Sequence, residues 1–560
     1  MFRLHYLLFS FLPLTSLAIP TTTAPTVYKP PADQSHGAST MQVDPRLIAE
    51  ANEAWSLIGS AQNPIWPGWD ASSTPLLFYL PGEQDVLINH PHPPQGFLPY
   101  DGPVGFPGWH IWVKNGPTLL GIDGQNTATN VEGVPTLAVA DTLSNLRNKV
   151  SFMLMDARPA DEKVRTLRAL NLATDPYDQL AMVVHEAFHV FQDKQAPDKG
   201  ADEMLLLYYP VLSVQNNVGF ALEGAALAKA LRTKDDLELR RAAMRWLAVR
   251  KDRRASLPAK AVEYEDGTEY NEGLATYTQY RLYEVLEGRS PGAAMAWVQG
   301  FAGYSDLAPQ RERLVETMVQ NLSGEVAVNG DPYGTAPLRM RLYYSGMAAG
   351  VLLDRLSPGW KSRIFAPDVS LTALAEEALK PSQAELSQAL KEVKADAVYL
   401  ALVQSKTQLA QEGRARAEAA VRQIESGPGI ALIVDYSKLG SPKLGIGFTP
   451  FGITAIDDQR TIFAQVPIKV IFGSEGEVTQ NAAQPLLRDT GRELVRFRLP
   501  SGATRSDVEK ALDSAPTHGE AISNFALDLP GASIKAARAQ IYWKGEDLIV
   551  VLLRTEEKKK

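Results

Sequence analysis

The strongest chemical signal in this chain is the run His185-Glu186-Ala187-Phe188-His189. Two histidines four positions apart lie one turn apart on the same face of a helix. Both imidazoles can therefore bind one divalent cation from one side. Glu186 stands one step round the helix, within reach of a water held at such an ion. Zinc lowers the pKa of that water to about 7, and a carboxylate at Glu186 is placed to take the proton as general base. The run from Leu180 to Phe191 is apolar except at these positions, and polar groups in so apolar a setting need partners. Asp175-Pro176 supplies an N-cap and a first-turn proline for the helix.

A catalytic zinc needs a third protein ligand and an open fourth position. The chain has no cysteine, so the third ligand must be His, Asp or Glu. None of His5, His36, His90, His92, His110 and His518 follows the motif at short spacing, which favours Glu. Two segments compete for the role. One centres on Glu223-Gly224, the other on Glu272-Gly273 within Glu269–Tyr277. Glycine costs helix stability, so a Gly directly after each Glu suggests that another backbone approaches closely. In the second segment Glu269, Glu272 and Thr276 share a helix face, so that Glu272 could bind the metal while Glu269 orients a histidine or a neighbouring ligand. Glu265 adds a carboxylate one turn earlier, and such acid density needs a cation or several donors.

These motifs resemble those of the gluzincin metallopeptidases, most of all their aminopeptidase-type branch. His-Glu-Ala-Phe-His at 185–189 is similar to their zinc helix. Asn271-Glu272-Gly273-Leu274-Ala275 resembles their Asn-Glu-Gly-x-Ala helix, which implies that Glu272 is the third ligand. Tyr343-Tyr344-Ser345-Gly346 resembles their Tyr-x-x-Gly element, which implies that Tyr343 donates to the oxyanion, with Tyr344 its rival. A phenol beside a Lewis-acidic metal stabilises negative charge developing on a substrate oxygen. The resemblance thus implies a zinc cofactor, a peptide or protein substrate, metal ligands His185, His189 and Glu272, and catalytic roles for Glu186 and Tyr343. Two departures stand out. The stretch from His189 to Glu272 is longer than in the family, with room for a helical hairpin over about Leu205–Lys251, and the Gly-x-Met-Glu-Asn exopeptidase element is absent.

The elements that must position this site come from an α+β, multidomain chain. Its 560 residues, 45% hydrophobic and 21% charged, suffice for several buried cores. Residues 1–18 carry an arginine, an apolar stretch and Ser16-Leu17-Ala18, the pattern of a secretory signal. Residues 19–43, rich in Pro and Thr, read as a flexible leader. Residues 44–156 form a mostly β N-terminal subdomain holding Trp55, Trp66, Trp69, Trp109 and Trp112, which suit a core or a ligand platform. Within it, Leu76–Leu80, Asp85–Ile88 and a pair around Glu132-Gly133 are expected strands, and Asn126–Thr129 is a candidate edge strand for substrate backbone. Residues 157–426 carry helical patterns and form the gluzincin-like core. Residues 427–560 alternate strand-like runs with one helix over Ala503–Ser514, an α+β C-terminal domain. Gly445-Ile446-Gly447 reads as a hairpin rather than a phosphate loop.

A net charge of −8 without a long basic block speaks against nucleic-acid binding. No membrane span is expected once the signal is removed, so the mature protein should be soluble and periplasmic or extracellular. The absence of disulfides leans toward a bacterial envelope. The expected function is an exported zinc hydrolase that cleaves peptide bonds. The rivals are a zinc-containing binding or scaffold protein of the envelope and a metallohydrolase acting on a non-peptide bond.

Overall fold

A computed structural model describes residues 43–80, 82–102, 109–117, 119, 126–140, 176–325, 334–440, 442, 444–447, 453–464, 468–480, 484–512 and 518–555. The signal-like segment 1–18, nearly all of the leader, residues 141–175 with the Asp175 cap, and the acidic-basic tail at 556–560 lie outside the described residues.

The N-terminal part opens with a helix that the sequence pattern had not marked, α1 (Pro45–Ile58), capped by Asp44. Six strands follow: β1 (Leu76–Leu80), β2 (Gln84–Ile88), β3 (Leu98–Pro99), β4 (Ile111–Asn115), β5 (Thr127–Val131) and β6 (Val134–Ala140). They form one sheet in the order β3-β4-β2-β1-β6-β5, parallel only between β1 and β6. Glu132 and Gly133 both take positive φ, 46° and 81°, as a tight hairpin between β5 and β6 requires. The period-two pattern divides the strands cleanly. Leu76, Phe78, Val86, Ile88, Leu137 and Val139 face the helices, while Leu77, Tyr79, Leu87 and Ala138 build a small core on the other face.

The middle of the chain is helical. It comprises α2 (Pro176–Gln195), α3 (Val214–Arg232), α4 (Asp236–Arg254), α5 (Ala259–Thr268), α6 (Leu274–Leu286), α7 (Ala308–Ser323), α8 (Thr335–Leu356), α9 (Leu371–Leu379), α10 (Gln383–Ala395) and α11 (Ala397–Ser426). Two of these helices start at aspartate caps. Asp235 accepts from the Glu238 amide and starts α4, and Asp396 accepts from Val398 and starts α11. The helical core is continuous with the inner face of the N-terminal sheet. Trp55, Trp66, Trp69 and Trp109 are buried in it, so they are core rather than a ligand platform.

The C-terminal part is rich in strands. β7 (Ala431–Asp435) through β17 (Asp547–Leu552) form an 11-stranded sheet, and one short helix, α12 (Arg505–Ala511), begins at a Thr504–Asp507 capping box. Its core is separate and is built from residues such as Leu432, Val434, Val470, Phe497 and Val550. Gly445 and Gly447 are not a hairpin turn; they lie inside β8 (Leu444–Gly447), paired with β11 (Ile468–Phe472). Among the described residues no helix is long and apolar enough to cross a membrane.

Candidate metal centre

The helix that carries His185 and His189 is α2, and aromatic packing sets its position. Phe188 sits 4.9 Å from Trp66 and 5.2 Å from Trp69, ring centre to ring centre. Burying one such ring contributes about 1.5–3 kcal/mol. With the apolar side of α2 held this way, His185 and His189 face α6 and α8.

The chain between α5 and α6 does not continue as a regular helix. Residues Glu269–Gly273 form a single turn of π-helix. Such turns insert an extra residue and swing a side chain onto a new face. Here the residue presented is Glu272. Its Oε2 lies 3.4 Å from His185 Nε2 and 3.4 Å from His189 Nε2, and the two Nε2 atoms are 3.2 Å apart. Donors bound about 2.05 Å from one tetrahedral centre stand about 3.3 Å apart. The three atoms thus have the spacing of one face of a tetrahedral site. The same three residues form the one cluster among the described residues that could hold a metal ion.

Partners behind these groups orient them. His189 Nδ1 meets Gln192 Oε1 at 3.0 Å, and Gln192 Nε2 donates to the Tyr270 carbonyl at 2.6 Å. This fixes the ring proton on Nδ1 and leaves Nε2 free to coordinate. The Gln279 amide reaches His185 Nδ1 at 2.9 Å. An amide presents oxygen or nitrogen there with the same shape, so with a cation on Nε2 the Gln279 oxygen accepts the ring proton. Arg339 donates to Glu272 Oε1 at 2.7 Å, and its other arm pairs with Glu203. Thr276 hydroxyl donates to the Glu272 carbonyl at 2.8 Å.

Charges in the cluster are strongly shifted. Burial would raise the Glu272 carboxyl, but His189, His185 and Arg339 hold it well below its usual range. Burial would lower His189, yet Glu272 and Glu186 outweigh it and push the imidazole up to about 9. That proton competes with a cation, so uptake of the ion releases it. Glu186 is only 7% exposed, and burial raises its carboxyl against the pull of His185 and His189.

Tyr343, on α8, stacks beside His185 at 6.3 Å with the rings 18° apart. Burial and the Glu272 charge keep its phenol protonated, far above the usual value. Burial, and then the charge of Asp178 in the first turn of α2, push the Tyr344 phenol up to about 12. The Tyr-x-x-Gly spacing has a packing reason. A Cβ on Gly346 would meet the Glu269 carbonyl at 2.7 Å and Gly273 Cα at 2.8 Å. Two glycines therefore let α8 rest on the π-turn, which brings Tyr343 and Arg339 to Glu272.

One rival ligand and one expected role are set aside. Glu223 does not join the two histidines. It is fully buried between Arg250, at 2.8 Å, and Arg253, at 2.5 Å. Glu269 does not orient a ligand histidine; Arg250 grips both its oxygens, at 2.7 and 2.9 Å, and Ser345 donates to it. Glu265 pairs with Arg253 and Arg254. The acid density of this segment is thus balanced by three arginines of α4, the second arm of the α3–α4 hairpin that lengthens the gap between the ligand helices. Gln192, Gln279, Arg339 and Glu203 escaped the sequence reading. The i, i+3 spacing of His189 and Gln192 and the i, i+4 spacing of Arg339 and Tyr343 were the available signals.

Burial would raise Glu265, but Arg253 and Arg254 hold it near 2 against an ordinary 4.5. A carboxyl depressed in the folded state stabilises the fold above about 4.5, and that contribution is lost as pH falls toward 2. Urea midpoints should therefore hold steady down to about pH 5 and then fall steadily toward pH 2. A profile that stays level across that window would contradict the pairing.

No protein-family model matches the chain, and no curated protein and no solved structure matches it.

Proposed function

We propose that this protein is a zinc-dependent hydrolase that cleaves peptide bonds, of the gluzincin type its motifs resemble. The observation that carries the reading is the convergence of His185, His189 and Glu272 at tetrahedral spacing, with a further buried carboxylate, Glu186, near enough to feel the charge of all three. Two imidazoles and one carboxylate suit zinc, which when bound supplies Lewis acidity to a carbonyl and to water. Among the described residues no hydrogen-bond donor holds Glu186, so its carboxylate is free to take a proton from the attacking water and return it to the leaving amine. Tyr343, kept protonated, donates a hydrogen bond to the carbonyl oxygen as it gains charge. β5 is paired only with β6 among the described residues and packs beside α2, so its free edge is available to an extended substrate. The proposed place of action is outside the cytoplasm, a reading that rests on residues 1–18 alone.

The direct test is to purify the full chain, measure its metal content, and assay it on a peptide library and on casein. The expected result is one zinc per chain, hydrolysis, loss of hydrolysis on chelation and recovery with zinc. Stoichiometric zinc without cleavage of any peptide would overturn the peptidase reading in favour of a binding protein or a hydrolase of another bond.

A further inference from the structure

The short turn Glu203–Tyr208, just before the α3–α4 hairpin, belongs to two cores at once. Leu205 and Leu206 are buried in the helical core, whereas Leu207, 2% exposed, is buried among the C-terminal strands, with Met204 packed on the same core. Among the described residues these two side chains are the helical region's insertion into the C-terminal core. The first residue of the turn, Glu203, pairs with Arg339, and Tyr264 donates to its second oxygen at 3.3 Å. Arg339 bridges from Glu203 to Glu272 Oε1, which leaves Oε2 to face both histidines. The next residue after the turn, Tyr209, is fully buried and donates to Glu265 at 2.5 Å, in the arginine network that holds the π-turn. A fixed backbone at 203–209 therefore sets the far end of the clamp on the ligand carboxylate.

We infer that the C-terminal β domain is a positioning element of the metal centre: its core seats Leu207, the anchored turn holds Glu203 against Arg339, and Arg339 orients the Glu272 carboxylate for the cation. The inference rests on the metal-centre reading above and adds a role for the C-terminal domain that the chemistry alone does not require. Arg339 and Glu203 are positioning residues, because they act through Glu272. Removing a partner that orients a metal ligand weakens metal binding by about 10–100-fold. A residue acting one link further away shifts it by about 2–30-fold.

The test measures zinc affinity of the full chain by competition with a zinc-binding dye, in wild type, Arg339→Met, Arg339→Lys, Leu207→Ala and the Leu207→Ala/Arg339→Met double variant. Arg339→Met should bind zinc about 10–100-fold more weakly, and Arg339→Lys should recover part of the loss. Leu207→Ala should weaken binding about 2–30-fold. The double variant should bind no more weakly than Arg339→Met alone, because Leu207 acts through the arginine. A purely structural effect of Leu207 would multiply with that of Arg339 instead. Should Leu207→Ala fail to fold, the milder Leu207→Val reads the same seat, with the same expectation alone and combined, while Glu203→Gln reads the next link to Arg339. Unchanged affinity in Arg339→Met, in the folded Leu207 variant or in Glu203→Gln, or independent effects in the double variant would each overturn the inference. These affinities need no turnover, so a zinc-loaded wild type that cleaves nothing would defeat the peptidase reading and leave this result intact.

Discussion

Glu186→Gln should lower kcat for peptide hydrolysis by about 10²–10⁴-fold while zinc stays bound at full stoichiometry. The separation of the two readouts is the point. Glu186 is not among the three converging donors, which are His185, His189 and Glu272. Glutamine keeps the size and shape of the side chain, so the packing of α2 against Trp66 and Trp69 is undisturbed. What it removes is the ability to accept a proton from water and pass it to the leaving nitrogen. The buried setting raises the Glu186 carboxyl toward the range where such transfer is efficient, and the two histidines limit that rise. Steady-state kinetics with metal analysis of the same sample decides the matter. A variant that hydrolyses at the wild-type rate removes Glu186 as base; one that loses its zinc makes it a structural support of the centre.

Arg250→Met should destabilise the fold by about 3–5 kcal/mol, the cost of breaking a buried ion pair by removing one partner. Arg250 is fully buried, with Nε on Glu223 and both terminal nitrogens on Glu269. Arg253 still serves Glu223 in the variant, but Glu269 is left with Ser345 and a 3.4 Å contact from Arg254. An under-compensated carboxylate inside the π-turn then stands three residues before Glu272. Zinc affinity should fall together with stability, since the same turn presents the ligand. Guanidinium denaturation monitored by circular dichroism measures the first effect and dye competition the second. A midpoint equal to wild type would show that the network contributes little.

Several parts of the centre were legible in the residues themselves. His185 and His189 share a face because helical geometry is local, and the burial of α2 follows from its apolar run. Glu272 and Tyr343 were reached through motifs, and the structure brings both to the histidines. The strand at Leu76–Leu80 and the hairpin at Glu132-Gly133 followed from short extended runs set between turn residues. Asp235 and Asp396 start α4 and α11 as N-caps, a role that a side chain takes only where its geometry is realised.

The choice between Glu223 and Glu272 shows where local reasoning stops. Each precedes a glycine in a helical run, and each is buried. A Cβ on Gly224 would meet only the Leu322 side chain, whereas one on Gly273 would meet the backbone of Gly346. The second contact brings a whole helix, with Arg339 and Tyr343, onto the ligand turn; the first does not. Residue types and helical spacing alone determined that this chain has two imidazoles on one face and a carboxylate beside them. Tertiary packing decided which distant glutamate completes the set, which arginines neutralise the others, and that the C-terminal core holds one end of the clamp. Neighbours on one helix are set by its pitch, while side chains on different helices meet only where close backbone contact allows it.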